Sequence, residues 1–188
     1  MTIDVGVKKL EIGGKKITFL DSPGHRDFIP NMITGAAQAD YAILVIDTDN
    51  FESSFIGGGQ TKEHAYIVRS FGVHKLIVAM NKMDRIGWSS EKFVHIKQRL
   101  GEYLHKIGFT HDQIIYIPIS AINATNITRK NVVKLTAENV VYDQCFIELI
   151  ASLEMPPRPI DKPFRMTITN VYEPQFGKLT GHCLSGKI

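Results

Sequence analysis

Three short, almost uninterrupted apolar runs, at 41–46, 75–80 and 114–119, constrain the fold of this chain more than anything else in it. A strand with one wet face alternates apolar and polar side chains. Leu76-Ile77-Val78-Ala79-Met80 has no polar face, so such a strand must be covered on both sides. Helical periods lie between the runs. Residues 61–71 end at Gly72, and 91–107 align Phe93, Ile96, Leu100, Tyr103, Leu104 and Ile107 before Gly108. A third helix is expected over 139–153, with Val141, Phe146, Leu149, Ile150 and Leu153 inward. Alternation of this kind predicts an α/β fold, a doubly wound and mainly parallel sheet.

The ends of the chain read differently. Residues 4–20 alternate through Val5, Val7, Leu10 and Ile12 into Gly13-Gly14, then out through Ile17 and Phe19, which predicts a hairpin. Met155-Pro156-Pro157-Arg158-Pro159 cannot continue a helix and reads as a stiff linker. Beyond it, 164–171 and 181–188 look like strands of an antiparallel unit too short to close a barrel. The expected division is a partial α/β domain over 1–154, a linker over 155–160, and the first strands of a β-barrel domain over 161–188.

Composition narrows the class. Of the residues 44% are hydrophobic and 22% charged, ordinary for a soluble globular chain. No apolar run approaches the roughly 20 residues of a membrane span, and the N-terminus does not read as a signal peptide. Cys145 and Cys183 have no metal-ligand spacing and read as free thiols of a reducing, cytoplasmic compartment. The glycosylation patterns at Asn123 and Asn126 are discarded for the same reason. A net charge of +3 permits contact with RNA without arguing for it.

Sheets of this kind bind ligands beyond the C-terminal ends of their strands. Here those ends carry Asp21, Asp47, Asn81 and Ser120. Asn81-Lys82-Met83-Asp84 closes the second run and fits a guanine-reading corner. Asp84 can accept from guanine N1–H and the 2-amino group together, donors that adenine lacks. Asn81 can tie neighbouring loops, and the Lys82 stem can cover the base. Ser120-Ala121 can add a backbone N–H toward the guanine oxygen. Alone, the four-residue string also fits an ordinary strand end entering a turn.

Asp21-Ser22-Pro23-Gly24-His25 suits the phosphate end of such a site. Asp21 can hold a magnesium ion, commonly through water, and Gly24 lets a backbone N–H approach the terminal phosphate. His25 would sit where an attacking water is oriented or polarised. The Thr2 hydroxyl could complete the magnesium shell. Each also has a plain structural use: Asp21 in a turn, His25 on the surface, Ser120 as a helix cap, Thr2 at a frayed terminus.

In the order Thr, DxxGH, NKxD, SA, the chain resembles the translational GTPases related to elongation factor 1-alpha. Residues 21–40, from Asp21-Ser-Pro-Gly-His to Gln38-Ala-Asp40, and Gly59-Gln-Thr-Lys-Glu-His64 are close to family signatures. The resemblance covers almost the whole chain. It implies a G domain followed by β-barrels, binding of GTP and GDP with magnesium, and delivery of a tRNA or tRNA-like partner to the ribosome. It further implies that His25 is the catalytic histidine of switch II and Thr2 the switch I threonine. Asn81, Lys82 and Asp84 become the guanine readers. Residues 51–60, Trp88 and 160–165 look most like the ribosome-rescue branch that works with Pelota. Elongation factor 1-alpha and the eukaryotic release-factor GTPase are the neighbouring branches. Ala121 departs from the glycine common there, though its backbone donor survives.

One family element has no counterpart in these residues: no G-x-x-x-x-G-K-[ST] phosphate loop occurs. It normally follows a central strand, whose loss would forgo on the order of 5–9 kcal/mol of burial. The expectation is a fragment whose sheet lacks its first strand and is rearranged or completed by strand exchange between copies. The isolated chain would then be a non-hydrolysing fragment or interaction module, with GTPase activity in a longer protein. A Rossmann dehydrogenase is excluded because no G-x-G-x-x-G follows a strand.

Overall fold

The structure is a computed structural model that describes residues 4–56, 59–128, 133–135, 141–142, 144–157, 161–172 and 182–187. Thr2, expected at the magnesium, lies outside the described residues.

Three parallel strands, β3 (Tyr41–Asp47), β4 (Lys75–Asn81) and β5 (Ile114–Pro118), pair in that order. Their bounds match the apolar runs to within a residue. Alternate side chains of β4 serve two cores, which is why the run has no polar position. Leu76, Val78 and Met80 pack with Ala65 and Val68 of α3 (Gln60–Ser70) and with Phe93, Ile96, Leu100 and Leu104 of α4 (Ser90–Lys106). Ile77 and Ala79 face the other way, onto Ile117, Ile119 and Leu149. Leu149 belongs to α5 (Phe146–Ser152), so both faces of the sheet are covered by helices.

The expected hairpin is present as β1 (Gly6–Ile12) and β2 (Lys15–Asp21), in register from Gly6 opposite Asp21 to Ile12 opposite Lys15. Gly13 and Gly14 have φ of +58° and +74°, the left-handed pair that a two-residue turn requires. The Lys15 ammonium donates to the carbonyls of Ala151 (2.7 Å) and Leu153 (2.8 Å). A cation there satisfies the last carbonyls of α5 and suits its dipole.

Two helices fall where none was expected: α1 (Ile29–Gln38), with Pro30 in its first turn, and the short α2 (Phe51–Phe55). The helix expected over 139–153 is corrected. Val141–Tyr142 form a strand, β7, paired with β6 (Val133–Lys134), and the helix begins only at Phe146. Branched and aromatic residues favour the strand. The Glu148 carboxylate accepts from the Cys145 N–H at 3.0 Å, a capping contact that starts the helix at Phe146. β8 (Thr167–Tyr172) and β9 (Cys183–Lys187) form the expected antiparallel pair.

The hairpin is a sheet of its own, and β3 has no partner on its outer edge among the described residues. Val45, in the middle of β3, is 61% exposed. The expectation that four strand tips share one edge therefore fails for Asp21. A strand brings its tip to a sheet edge by pairing in that sheet, and among the described residues β2 pairs only with β1.

Candidate functional site

The parallel register sets Asp47 beside Asn81, and Ser120 follows β5 at the same edge. Asn81 stitches this edge together. Its Oδ1 accepts from the Lys82 N–H (2.8 Å) and the Ala121 N–H (2.9 Å), while its carbonyl accepts from the Thr48 N–H (3.1 Å) and hydroxyl (2.8 Å). One residue thus joins the loops after β3, β4 and β5. Ala121 N–H, expected to point at a guanine oxygen, is committed here to Asn81.

Asp84 is held from the same side. The fully buried Ser120 donates its hydroxyl to Asp84 Oδ1 at 2.5 Å. The bond fixes the direction of the carboxylate. Lys82 between them has φ of +64°, a left-handed conformation that costs a non-glycine residue about 1–2 kcal/mol. Its ammonium reaches Asp47 Oδ2 at 2.5 Å. Burial alone would raise the Asp47 pKa. Hydrogen bonds from Lys82 and from Asn50 and Asp49 outweigh it and hold the carboxyl below the usual carboxylate range. A 610 Å³ cleft opens nearby between residues 48–53 and the start of α4, but Asn81, Lys82, Asp84 and Ser120 do not line it. The hydrogen bonds converge instead at the strand tips.

The loop after β2 is built by packing. Pro23 is fully buried, and a Cβ on Gly35 of α1 would fall 2.1 Å from Ser22 Oγ, so the loop lies directly on that helix. His64 of α3 bonds to the Gly24 backbone. Its burial lowers the imidazole pKa, and the Gly24 bond and Glu63 only partly oppose that. His25 is half exposed, and its Nδ1 accepts from the Asp27 N–H at 3.3 Å as an N-cap. Asp21 is exposed at the end of β2.

The structure therefore brings Asn81, Lys82, Asp84, Ser120 and Ala121 together and keeps Asp21, Gly24 and His25 on the hairpin side. Sequence reasoning passed over three supporting residues. His64 was visible only as the end of the Gly59–His64 signature, and Asp47 only as a strand tip. Asn126 was visible only as a discarded glycosylation pattern: it is fully buried at φ +59°, with its amide donating to the Pro118 carbonyl at 2.9 Å.

Comparison with known proteins gives a consistent family. Residues 1–168 match the elongation factor Tu GTP binding domain. The chain is 41% identical to protein HBS1 of Drosophila melanogaster over all of its own length and 28% of that protein. It is 42% identical to elongation factor 1-alpha of Thermofilum pendens, over 92% of this chain and 40% of the relative. The chain thus spans well under half the length of these relatives. Among solved structures, sup35 complexed with GDP is similar at a TM-score of 0.63 and 27% identity, over 94% of this chain and 40% of that one. The bacterial selenocysteine-specific elongation factor EF-Sec is similar at 0.56 and 27%, over 66% of this chain and 20% of that one.

Proposed function

This chain belongs to the family of the elongation factor Tu GTP-binding domain, and from that premise we propose that it carries the guanine-reading and switch II parts of a GTPase working on the ribosome. The carrying observation is the convergence of Asn81, Asp84, Ser120 and Ala121 at one sheet edge. In this reading Asp84 accepts from guanine N1–H and the 2-amino group. Lys82 covers the base, and Ala121 N–H turns from Asn81 to the guanine oxygen.

At the phosphate end, Gly24 offers its N–H to the terminal phosphate. The bond from Asp27 N–H makes Nδ1 of a neutral His25 an acceptor, which places the ring proton on Nε2. His25 would then orient the attacking water by donating from Nε2. The hard oxygen of Asp21, with Thr2, suits magnesium. Magnesium would be held there by few protein oxygens, as is usual for this ion. When bound, magnesium neutralises charge on the phosphates.

The finer assignment is rescue of stalled ribosomes with a Pelota-type or tRNA-like partner, in the cytoplasm. It is supported by the HBS1 match across the whole chain. Elongation factor 1-alpha, delivering aminoacyl-tRNA, is the second reading, favoured by a match of 42% identity over 92% of this chain. Among the described residues no helix is long and apolar enough to cross a membrane. We assign 1–154 to the G domain, 155–160 to a linker and 161–188 to the start of a β-barrel. We also assign the open edge of β3 to strand exchange with a second copy, for which light scattering should give a dimer. A monomeric mass overturns that assignment.

The deciding experiment is equilibrium binding of GDP and GTP to this chain, with XDP against Asp84→Asn. GDP binding that switches to XDP in the variant supports the reading. No binding at millimolar nucleotide rejects it for this chain.

A further inference from the structure

We propose that Asp47 is a positioning residue of the guanine site, latching the Lys82 side chain so that its stem lies as a preformed wall for the base. This inference rests on the guanine-binding reading of Asn81 and Asp84.

The two carboxylate oxygens of Asp47 divide their work. Oδ1 accepts from the backbone N–H groups of Asp49 (3.0 Å) and Asn50 (3.3 Å), and so shapes the turn after β3. Oδ2 takes the Lys82 ammonium at 2.5 Å and the Asn50 amide at 3.2 Å. The pair is partly sheltered, at 28% exposure for Asp47 and 43% for Lys82. A lysine stem otherwise carries large rotamer freedom, which a ligand resting on it would have to remove. The left-handed backbone at Lys82 aims the side chain along the sheet edge, toward the neighbouring strand where Asp47 stands in register with Asn81. Both ends of the stem are therefore fixed before any ligand arrives. Asp84 is held separately by Ser120, so the latch sets affinity and leaves base selection to Asp84.

Asp47→Asn separates the roles, because the amide oxygen can retain the turn while the charge at Oδ2 disappears. On this chain, Asp47→Asn should weaken GDP binding about five- to ten-fold, the scale of one partly sheltered ion pair, with the preference for GDP over XDP unchanged. Asp47→Glu should recover part of the loss. In a Lys82→Met background, which keeps the stem and removes the ammonium, Asp47→Asn should have no further effect. Additive losses, or full GDP affinity in Asp47→Asn, overturn the latch while leaving the guanine reading intact. Should the wild-type chain bind no GDP, that reading fails, and NMR of the Lys82 ammonium judges the latch alone. A restrained ammonium in the wild type that becomes mobile in Asp47→Asn upholds it, and identical mobility in both refutes it.

Discussion

The edge at Asn81–Asp84 and the loop at Asp21–His25 hold their functional groups by different means. At the first, parallel register places three loops side by side, and side-chain bonds from Asn81, Ser120 and Asp47 hold the Ala121 N–H, the Asp84 carboxylate and the Lys82 ammonium. At the second, Pro23, Gly35 and His64 seat the backbone by packing, while Asp21 and His25 stand in solvent. On the proposed reading, the Asp84 carboxylate and the Lys82 stem meet the base already oriented, which rewards preorganisation. Groups that act on a phosphate or a water need freedom to adjust as the ligand arrives. On the same reading, the contrast follows the chemistry asked of each side.

The largest effect should come from cutting the sheet beneath the rigid side. Ile77→Ala removes a fully buried side chain shared with Ile117, Ile119 and Leu149, and should cost about 3 kcal/mol in chemical denaturation. If amide exchange at 81–84 is unaffected, the rigidity there does not derive from the sheet. Gly59→Ala comes next. Its Cβ would fall 1.8 Å from the Ser54 carbonyl oxygen and 2.9 Å from Phe55 N, forcing α3 and His64 away from α2. A loss of about 2 kcal/mol should appear with faster exchange at Gly24. Equal exchange at both ends of the molecule would erase the contrast.

His64 sharpens the comparison through pH. Its folded pKa lies below the usual histidine value because burial disfavours the charged ring. The unfolded chain therefore takes up its proton first. Stability is complete above about pH 6.5 and declines as pH falls from there through the folded pKa, by no more than about 1.4 kcal/mol per pH unit. Melting curves of His64→Gln should lack this component, and a pH dependence unchanged in the variant would remove His64 from the loop's support. The smallest effect belongs to Arg85→Ala. Its ion pair with Asp49 spans 3.1 Å, but Arg85 is 59% exposed, so the cost should stay within about 0.5 kcal/mol. A larger loss would mean that the preorganised side extends to its rim.

The core elements were legible because their patterns are local. A fully buried strand shows as a run without polar positions, and α4 shows as a stripe ending at Gly108. The 139–153 segment misled because Val141 and Tyr142 fit an apolar helical period as well as a strand, and only pairing with Val133–Lys134 separates the two. At the site, the identities of Asn81, Lys82, Asp84, Ser120 and Ala121 were readable. Their partners were not: Asp47 reaches Lys82 from 35 positions away, and Ala121 reaches Asn81 from 40.

Taken by itself, the sequence determined which residue types stand at the strand ends, the α/β alternation and the family signatures, since composition and period act over a few residues at a time. Tertiary structure alone decided that Asp21 ends a separate hairpin sheet, that Ala121 N–H is held by Asn81, and that Asp47 grips Lys82. Those outcomes depend on which strands pair and in what register, and pairing across distant segments is settled by hydrogen bonding and burial of the whole chain.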